Sequence, residues 1–220
     1  MLALTHDPAP WRDSFSAMTE DLPHLEAEPS RDAGAQDIAW MERVKTGDTE
    51  AFRLLIETHQ TRVVGTVAKM LGDDTDSEDI AQQVFIRIWN SAARYTPTAK
   101  FTTWLFKITR NLVFNELRRR KRHPAMPLET REDEPERQIA DPASPSPAAT
   151  ILDSELQDAI QKAIDSLPEM QRMAVVLRRY EELSYEEIAE VLKVSVPAVK
   201  SILFRARTDL RERLQKYLHG

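Results

Sequence analysis

The stretch Ser184-Tyr-Glu-Glu-Ile-Ala-Glu-Val-Leu-Lys-Val-Ser-Val-Pro-Ala-Val-Lys-Ser-Ile-Leu-Phe-Arg-Ala-Arg-Thr-Asp-Leu210 decides the fold. Ser184 and Glu187 have the spacing of a capping box, which opens a helix. Ile188 and Leu192 follow one turn apart, Ala189 is small where a second helix must approach closely, and Val194 plugs the turn. Ser195 is a good N-cap, Pro197 is tolerated in a first helical turn, and Val199, Ile202 and Leu203 face back to the core. This is helix, tight turn, helix. Lys193 stands where such turns usually carry glycine, and a positive φ there costs on the order of 1 kcal/mol. The second helix turns Lys200, Ser201, Phe204, Arg205, Thr208 and Arg211 outward. Arginine can fork onto guanine edges in a major groove while other cations neutralise phosphates. A helical hairpin with a charged, solvated face is the competing reading.

Working outward, both flanks are helical as well. Just upstream, Leu152, Leu156, Ile160 and Ile164 face inward, and Pro168 suits the first turn of a helix that buries Met173, Val176, Leu177 and Tyr180. Further upstream, Asp48 can cap a helix with Phe52, Leu55, Ile56, Val63, Val67 and Leu71 on its apolar side. Thr75 and Glu78 again have capping-box spacing, ahead of Ile80, Val84 and Ile88, with Ala81, Phe85 and Trp89 beside them. A third helix from about Lys100 buries Leu105, Ile108, Leu112 and Leu117, with Trp104 mainly in the core. No stretch alternates with period two for long enough to make a strand. The fold class is all-α.

Proline divides the chain. Residues 124–149 hold six prolines and six acids against two arginines, which marks an acidic linker. Residues 1–36 are acidic, interrupted by Pro8, Pro10, Pro23 and Pro29, and read as a disordered arm. Two small helical domains remain, 37–123 and 150–218.

Charge is sorted too. Residues 1–40 carry eight acids against Arg12 and Arg31, which accounts for the whole formal net charge of -6. Lys107 to Arg122 holds seven basic residues and one acid, and Lys193 to Lys216 seven against two. Two basic blocks on separate domains fit two contacts with a polyanion. On the third helix, Phe101, Trp104, Phe106 and Phe114 interleave with Lys107, Arg110, Asn111, Asn115 and Arg118. Aromatic faces stack on unpaired bases, although aromatics at helical spacing also simply fill a core.

Several function classes drop out. The 220 residues include no cysteine, so disulfides, thiolate metal sites and thiol catalysis are absent. The acids from Asp73 to Asp79 lack the loop pattern of a calcium site. The five histidines are scattered, and no nucleophile–base pair or phosphate loop accompanies them, so an enzyme is not expected and no cofactor is implied. The longest strictly apolar run, Met173 to Leu177, is far short of the ~20 residues that span a bilayer, and no signal pattern opens the chain. A cytoplasmic protein without membrane insertion is expected.

The motifs as a set resemble a known family. Asp76-Ser-Glu-Asp-Ile-Ala-Gln-Gln-Val-Phe-Ile-Arg-Ile-Trp89 resembles region 2.2 of sigma-70-type transcription initiation factors. Phe101-Thr-Thr-Trp-Leu-Phe-Lys-Ile-Thr-Arg-Asn111 through Arg119 resembles regions 2.3 and 2.4. Leu167 to Arg172 with Ser184 to Ala189 and Val199 to Leu210 resembles region 4. Two such domains joined by a short linker resemble the extracytoplasmic-function (ECF) group. The resemblance implies that Asp76, Asp79, Gln82, Phe85 and Arg87 dock on the clamp of core RNA polymerase, with Gln83 standing where glutamate is commoner. It implies that Tyr95 to Phe101 captures a flipped base of the −10 element, and that Phe101, Lys107, Asn111, Asn115, Arg118 and Arg119 hold promoter DNA there. Pro197, Ala198, Lys200, Ser201, Phe204, Arg205 and Arg207 would read the −35 element. An anti-sigma factor is the regulatory partner that the resemblance implies.

The physics is consistent with this division. Melting a promoter costs stacking energy, which a protein offsets only by binding the unpaired state better than the duplex. If two elements lie two helical turns apart, they are separated by roughly 70 Å. The linker spans about 30 Å r.m.s. and stretches to about 90 Å, so it must be drawn out in the complex. The alternative is a free-standing helix-turn-helix regulator, which would have no use for the first domain.

Overall fold

A computed structural model of the chain describes residues 31–72, 76–122 and 147–218, which form eight α-helices, one 3-10 turn and no strand. The expected disordered arm before residue 31, the linker through residue 146, Thr75 and the Leu152 side chain lie outside the described residues. The first module comprises α1 (Arg31–Lys45), α2 (Thr49–Leu71), α3 (Ser77–Ser91), a 3-10 turn at Ala92–Arg94 and α4 (Phe101–Arg122). The second comprises α5 (Pro147–Asp165), α6 (Glu169–Arg179), α7 (Tyr185–Leu192) and α8 (Val196–Leu218).

Two boundaries differ from the sequence reading. Helix α1 starts at Arg31, ahead of the expected edge at residue 37, and its Asp37 is buried and anchored to His59 on α2. That tertiary contact, made at the first residue of the expected domain, holds α1 against α2. Helix α5 starts at Pro147, inside the expected linker, because proline in the first helical position lacks only an N–H that has no partner there anyway.

Local chemistry sets the other ends. Asp48 Oδ1 accepts the amides of Glu50 and Ala51 at 2.9 and 3.0 Å, and α2 stops at Gly72, whose φ of 73° is left-handed. The N-cap of α3 is Asp76, and its carboxylate makes no cap bond because it accepts from Arg120 Nη2 at 2.7 Å. Pro168 is the N-cap of α6, one position ahead of the first turn expected.

Met41, Leu55, Val63, Val67, Ile80, Val84, Ile88, Phe101 and Leu105 fill the first module's core, and Ile164, Met173, Val176, Leu177, Ile188, Leu192, Val199 and Leu203 the second's. The two cores are continuous, since α4 packs on α7 and α2 on α5 and α6. Tyr180, expected in the core, is 41% exposed, with the Lys69 ammonium 4.6 Å from its ring centre. Its ring face meets that cation, and burial pushes the phenol above its ordinary pKa.

Candidate nucleic-acid interface

The helix-turn-helix is assembled as its local signals dictate. Ser184 Oγ accepts the Glu187 amide at 3.2 Å, and the Glu187 carboxylate accepts the Ser184 amide at 2.8 Å. Lys193 closes α7 with φ 59° and ψ 47°, the left-handed conformation anticipated at that turn. Ser195 Oγ accepts the Ala198 amide at 3.4 Å and starts α8. The buried stripe of α8 is Val199, Leu203, Ala206, Leu210 and Leu214, which turns Lys200, Ser201, Phe204 and Arg205 to solvent.

Phe204 is 69% exposed, the most exposed large apolar side chain described, flanked by Lys200, Ser201 and Arg205. An apolar ring beside cations and a hydroxyl is suited to a groove lined by methyls and base edges. Pro197 is exposed and Ala198 half-buried at the leading end of α8. Arg207 differs from expectation: it is half-buried, and its Nη2 donates to the Tyr185 hydroxyl at 3.2 Å. It braces α8 against α7.

The second basic face lies on α4. Asn111, Asn115, Arg118 and Arg119 are exposed along it. Arg118 donates to the Asn115 amide oxygen and, at 3.2 Å, to the Phe114 carbonyl. Arg110 donates to Asn111 Oδ1 at 3.0 Å, with its guanidinium over the Phe114 ring. Burial, with the neighbouring Arg118, pulls the Arg110 guanidinium below its ordinary pKa. Arg119 grips Glu116 with two bonds of 2.7 Å, and that hydrogen bond holds the Glu116 carboxyl below its usual range. Lys107 is already engaged, donating to Glu190 Oε1 of α7 at 2.6 Å.

Phe101 corrects the sequence reading. It is 0% exposed, with ring centres 5.2 Å from His59 and 6.0 Å from Trp104, and Tyr95 is buried beside it. The stripe Phe101, Leu105, Leu112 faces inward at helical spacing, so this aromatic ring supports the preceding loop from beneath and cannot itself stack on a base here.

Helix α3 carries a third surface. Asp79, Gln82, Gln83 and Arg87 are exposed on one side. Phe85 is a second correction: it is buried at 6% exposure, on the same stripe as Ala81 and Ile88. Asp76 is half-buried and spent on Arg120. The exposed apolar residue is instead Ile86, 57% open to solvent. The sequence reading missed it, although an isoleucine four residues after Gln82 and seven after Asp79 falls on the polar side by helical spacing.

Comparison with known proteins gives these surfaces a family. Residues 55–123 match Sigma-70 region 2, and residues 157–210 match Sigma-70, region 4. The RNA polymerase sigma-H factor of Pseudomonas aeruginosa is 35% identical over 83% of this chain and 96% of its own length. The chain belongs to the ECF group of the sigma-70 family. The ECF RNA polymerase sigma factor SigW of Bacillus subtilis is 33% identical over 80% of this sigma factor and 95% of its own length. Among solved structures, CnrH in complex with the cytosolic domain of CnrY shares the fold, with a TM-score of 0.60, 24% identity, and coverage of 82% of this chain and 98% of CnrH. In this sigma factor region 2 falls on α2, α3 and α4, and region 4 on the module that ends in α8, so each matched region owns one basic face. Among the described residues no helix is long and apolar enough to cross a membrane.

Proposed function

We propose that this sigma factor binds core RNA polymerase and directs it to promoters, with α3 docking on the clamp, α4 holding the −10 element and α8 reading the −35 element. The observation that carries this reading is the presence of two separate basic faces on one chain, one per matched region, of which α8 is the second helix of a helix-turn-helix formed with α7. A duplex reader supports recognition; a basic, amide-rich helix surface supports capture of opened strands. Neither does bond chemistry, and the protein acts as a non-enzymatic subunit in the cytoplasm, where polymerase works.

The residues proposed for the clamp are Asp79, Gln82 and Arg87 with Ile86 as the apolar centre, while Phe85 shapes the helix from within. For the −10 element they are Asn111, Asn115, Arg118, Arg119 and Lys107, with Phe101 supporting the loop. For the −35 element they are Lys200, Ser201, Phe204 and Arg205, with Pro197 and Ala198 at the leading end. An anti-sigma protein is the proposed negative regulator, since a Bartonella quintana sigma factor of the same fold, RpoE, has been solved in complex with the anti-sigma factor NepR. The free-standing regulator is disfavoured by the first module, of which residues 55–123 match region 2.

The test is co-purification with core polymerase followed by run-off transcription on promoter libraries. Transcripts that start at defined sites and require this protein support the reading. No transcript above that of core polymerase alone, on any template, defeats it.

A further inference from the structure

Helices α5 and α8 leave a cleft of about 550 Å³ between them. Ala159 and Ala163 of α5 and Leu214 and Tyr217 of α8 line it, together with Asp158, Lys162 and Arg213. Ala163 and Leu214 are buried, Ala159 and Tyr217 are half-buried, and the three charged residues are exposed. The cleft therefore has an apolar floor and a charged rim, on which Lys162 and Arg213 outnumber Asp158. Its volume lies in the range of sites that take organic ligands, so several large side chains fit.

The chain carries a segment of matching character ahead of α1. Trp11, Phe15, Met18 and Leu22 recur at intervals of four, three and four, a spacing that sets all four on one face of a helix. Pro10 precedes this stripe and Pro23 follows it, where prolines open and stop helices. Asp13, Glu20 and Asp21 fall outside the stripe against Arg12, so the segment is acidic where the rim of the cleft is basic. A helix of residues 11–22, about 18 Å long, is marginal alone in water and forms only against an apolar surface. Composition that reads as disorder is thus compatible with folding on a partner surface. The exposed Ile86 of α3 is a poorer seat, because Asp79 shares its face and repels an acidic segment.

Reach favours an occupant from the same chain. Helix α1, which opens at Arg31, and helix α5 both pack on α2, and packed axes lie about 8–10 Å apart. The nine residues from Leu22 to Arg31 extend to roughly 30 Å, enough to cross that width. A tether this short holds the segment at an effective concentration on the order of millimolar, so even a modest contact is populated.

We infer that residues 11–22 fold as an amphipathic helix into the α5–α8 cleft of their own chain, with the apolar stripe on Ala159, Ala163, Leu214 and Tyr217 and the acids toward Lys162 and Arg213. The arm then keeps an apolar seat on the second module closed, and any helical partner that uses this cleft must first displace it. The inference stands apart from the polymerase and promoter contacts.

The chain has no cysteine, so Ser16→Cys, off the apolar stripe, and Gln157→Cys, exposed beside Asp158, supply two label sites on the full chain. Distances between spin labels at these sites are expected to be short and narrowly distributed. Phe15→Asp with Met18→Asp should replace that peak by a longer, broad distribution, and so should Lys162→Glu with Arg213→Glu. Adding Asp13→Lys, Glu20→Lys and Asp21→Lys to the charge-reversed cleft should restore the narrow peak, which also shows that this variant folds. A broad distribution in the parent chain overturns the inference. A narrow peak that survives reversal of the rim also overturns it, since the arm would then be seated elsewhere, and absence of recovery by the charge swap removes the seat at Lys162 and Arg213. Mixing singly labelled chains separates the other occupant: a short distance found only between chains gives the cleft to the arm of a second copy and overturns docking within one chain.

Discussion

Nε2 of His59 donates to Oδ1 of Asp37 at 2.9 Å, with both side chains buried between α1 and α2. A carboxylate only accepts, so the bond assigns the imidazole proton to Nε2. This contact holds α1 on the first module.

Asp37→Ala is therefore expected to destabilise the chain by about 1–3 kcal/mol, because it strands a buried donor. Asp37→Asn keeps an acceptor and should cost less. Urea unfolding checks this through the midpoint at constant slope; equal losses for the two variants would show that side-chain volume, not the bond, matters.

Lys193 holds φ at 59° to end α7. Glycine adopts that conformation without a Cβ penalty, so Lys193→Gly should stabilise the second module by up to about 1 kcal/mol. Part of the gain is returned through the greater freedom of glycine in the unfolded chain. Thermal unfolding should show a midpoint raised by a few degrees, and a lowered midpoint would mean that the lysine side chain contributes more than its backbone strain costs.

Ile86 and Phe85 separate docking from folding, though they are neighbours in sequence. Phe85→Ala empties part of the core and is expected to cost about 3–5 kcal/mol, so any loss of polymerase binding it causes is uninformative. Ile86→Asp changes an exposed position and should move stability by no more than about 0.5 kcal/mol while weakening co-purification with core polymerase. Undiminished co-purification would place the clamp contact elsewhere on the first module.

The parts of this fold that were legible in the sequence are those set by neighbours in the chain. The Ser184–Glu187 box, the Ser195 cap, the Asp48 cap and the left-handed Lys193 each depend on a few adjacent residues, and each is where local chemistry put it. Outward display of Phe204 and Arg205 followed from helical spacing alone. Phe101 was open to two readings because aromatic rings among polar residues can stack on bases or fill a core, whereas Phe85 took a surface role only from the family resemblance, although spacing set it beside a buried stripe. The spacing of Phe101 with Leu105 and Leu112, which outweighs composition, settled it as core. Glu181 with Arg62 and Thr66 had no local signature, being 119 and 115 residues apart in sequence. Such a contact is specified by how whole modules meet, which periodicity does not encode.

Arg205 and Arg207 should behave differently although both are basic and two residues apart. Arg205 is exposed on α8, whereas Arg207 is turned to Tyr185. Arg205→Ala is expected to cost about 1–3 kcal/mol on a selected −35 duplex if it grips a base edge, with less loss on random duplex. Arg207→Ala should instead lower stability modestly and weaken both duplexes alike. Fluorescence anisotropy across a salt series checks this; equal losses for Arg205→Ala on both duplexes would reduce it to a phosphate contact.

Glu116 gives the protein an acid-sensitive element on α4. Hydrogen bonds from Arg119 first and Arg120 next hold its carboxyl below the ordinary value of 4.5. The folded state thus keeps this proton off to lower pH than the unfolded chain does. Stability from the group is fully present above about pH 4.5 and is lost as pH falls through the lowered folded value. Glu116→Gln removes the charge at every pH, so the parent should be the more stable at neutral pH and the difference should shrink in acid. Solvent screening at Arg119 keeps the neutral-pH gap small, on the order of 1 kcal/mol. Urea midpoints for the two chains at neutral pH and near about pH 3 measure it. A gap that stays constant between those conditions would mean that Glu116 contributes through packing of its methylenes, with no role for its charge.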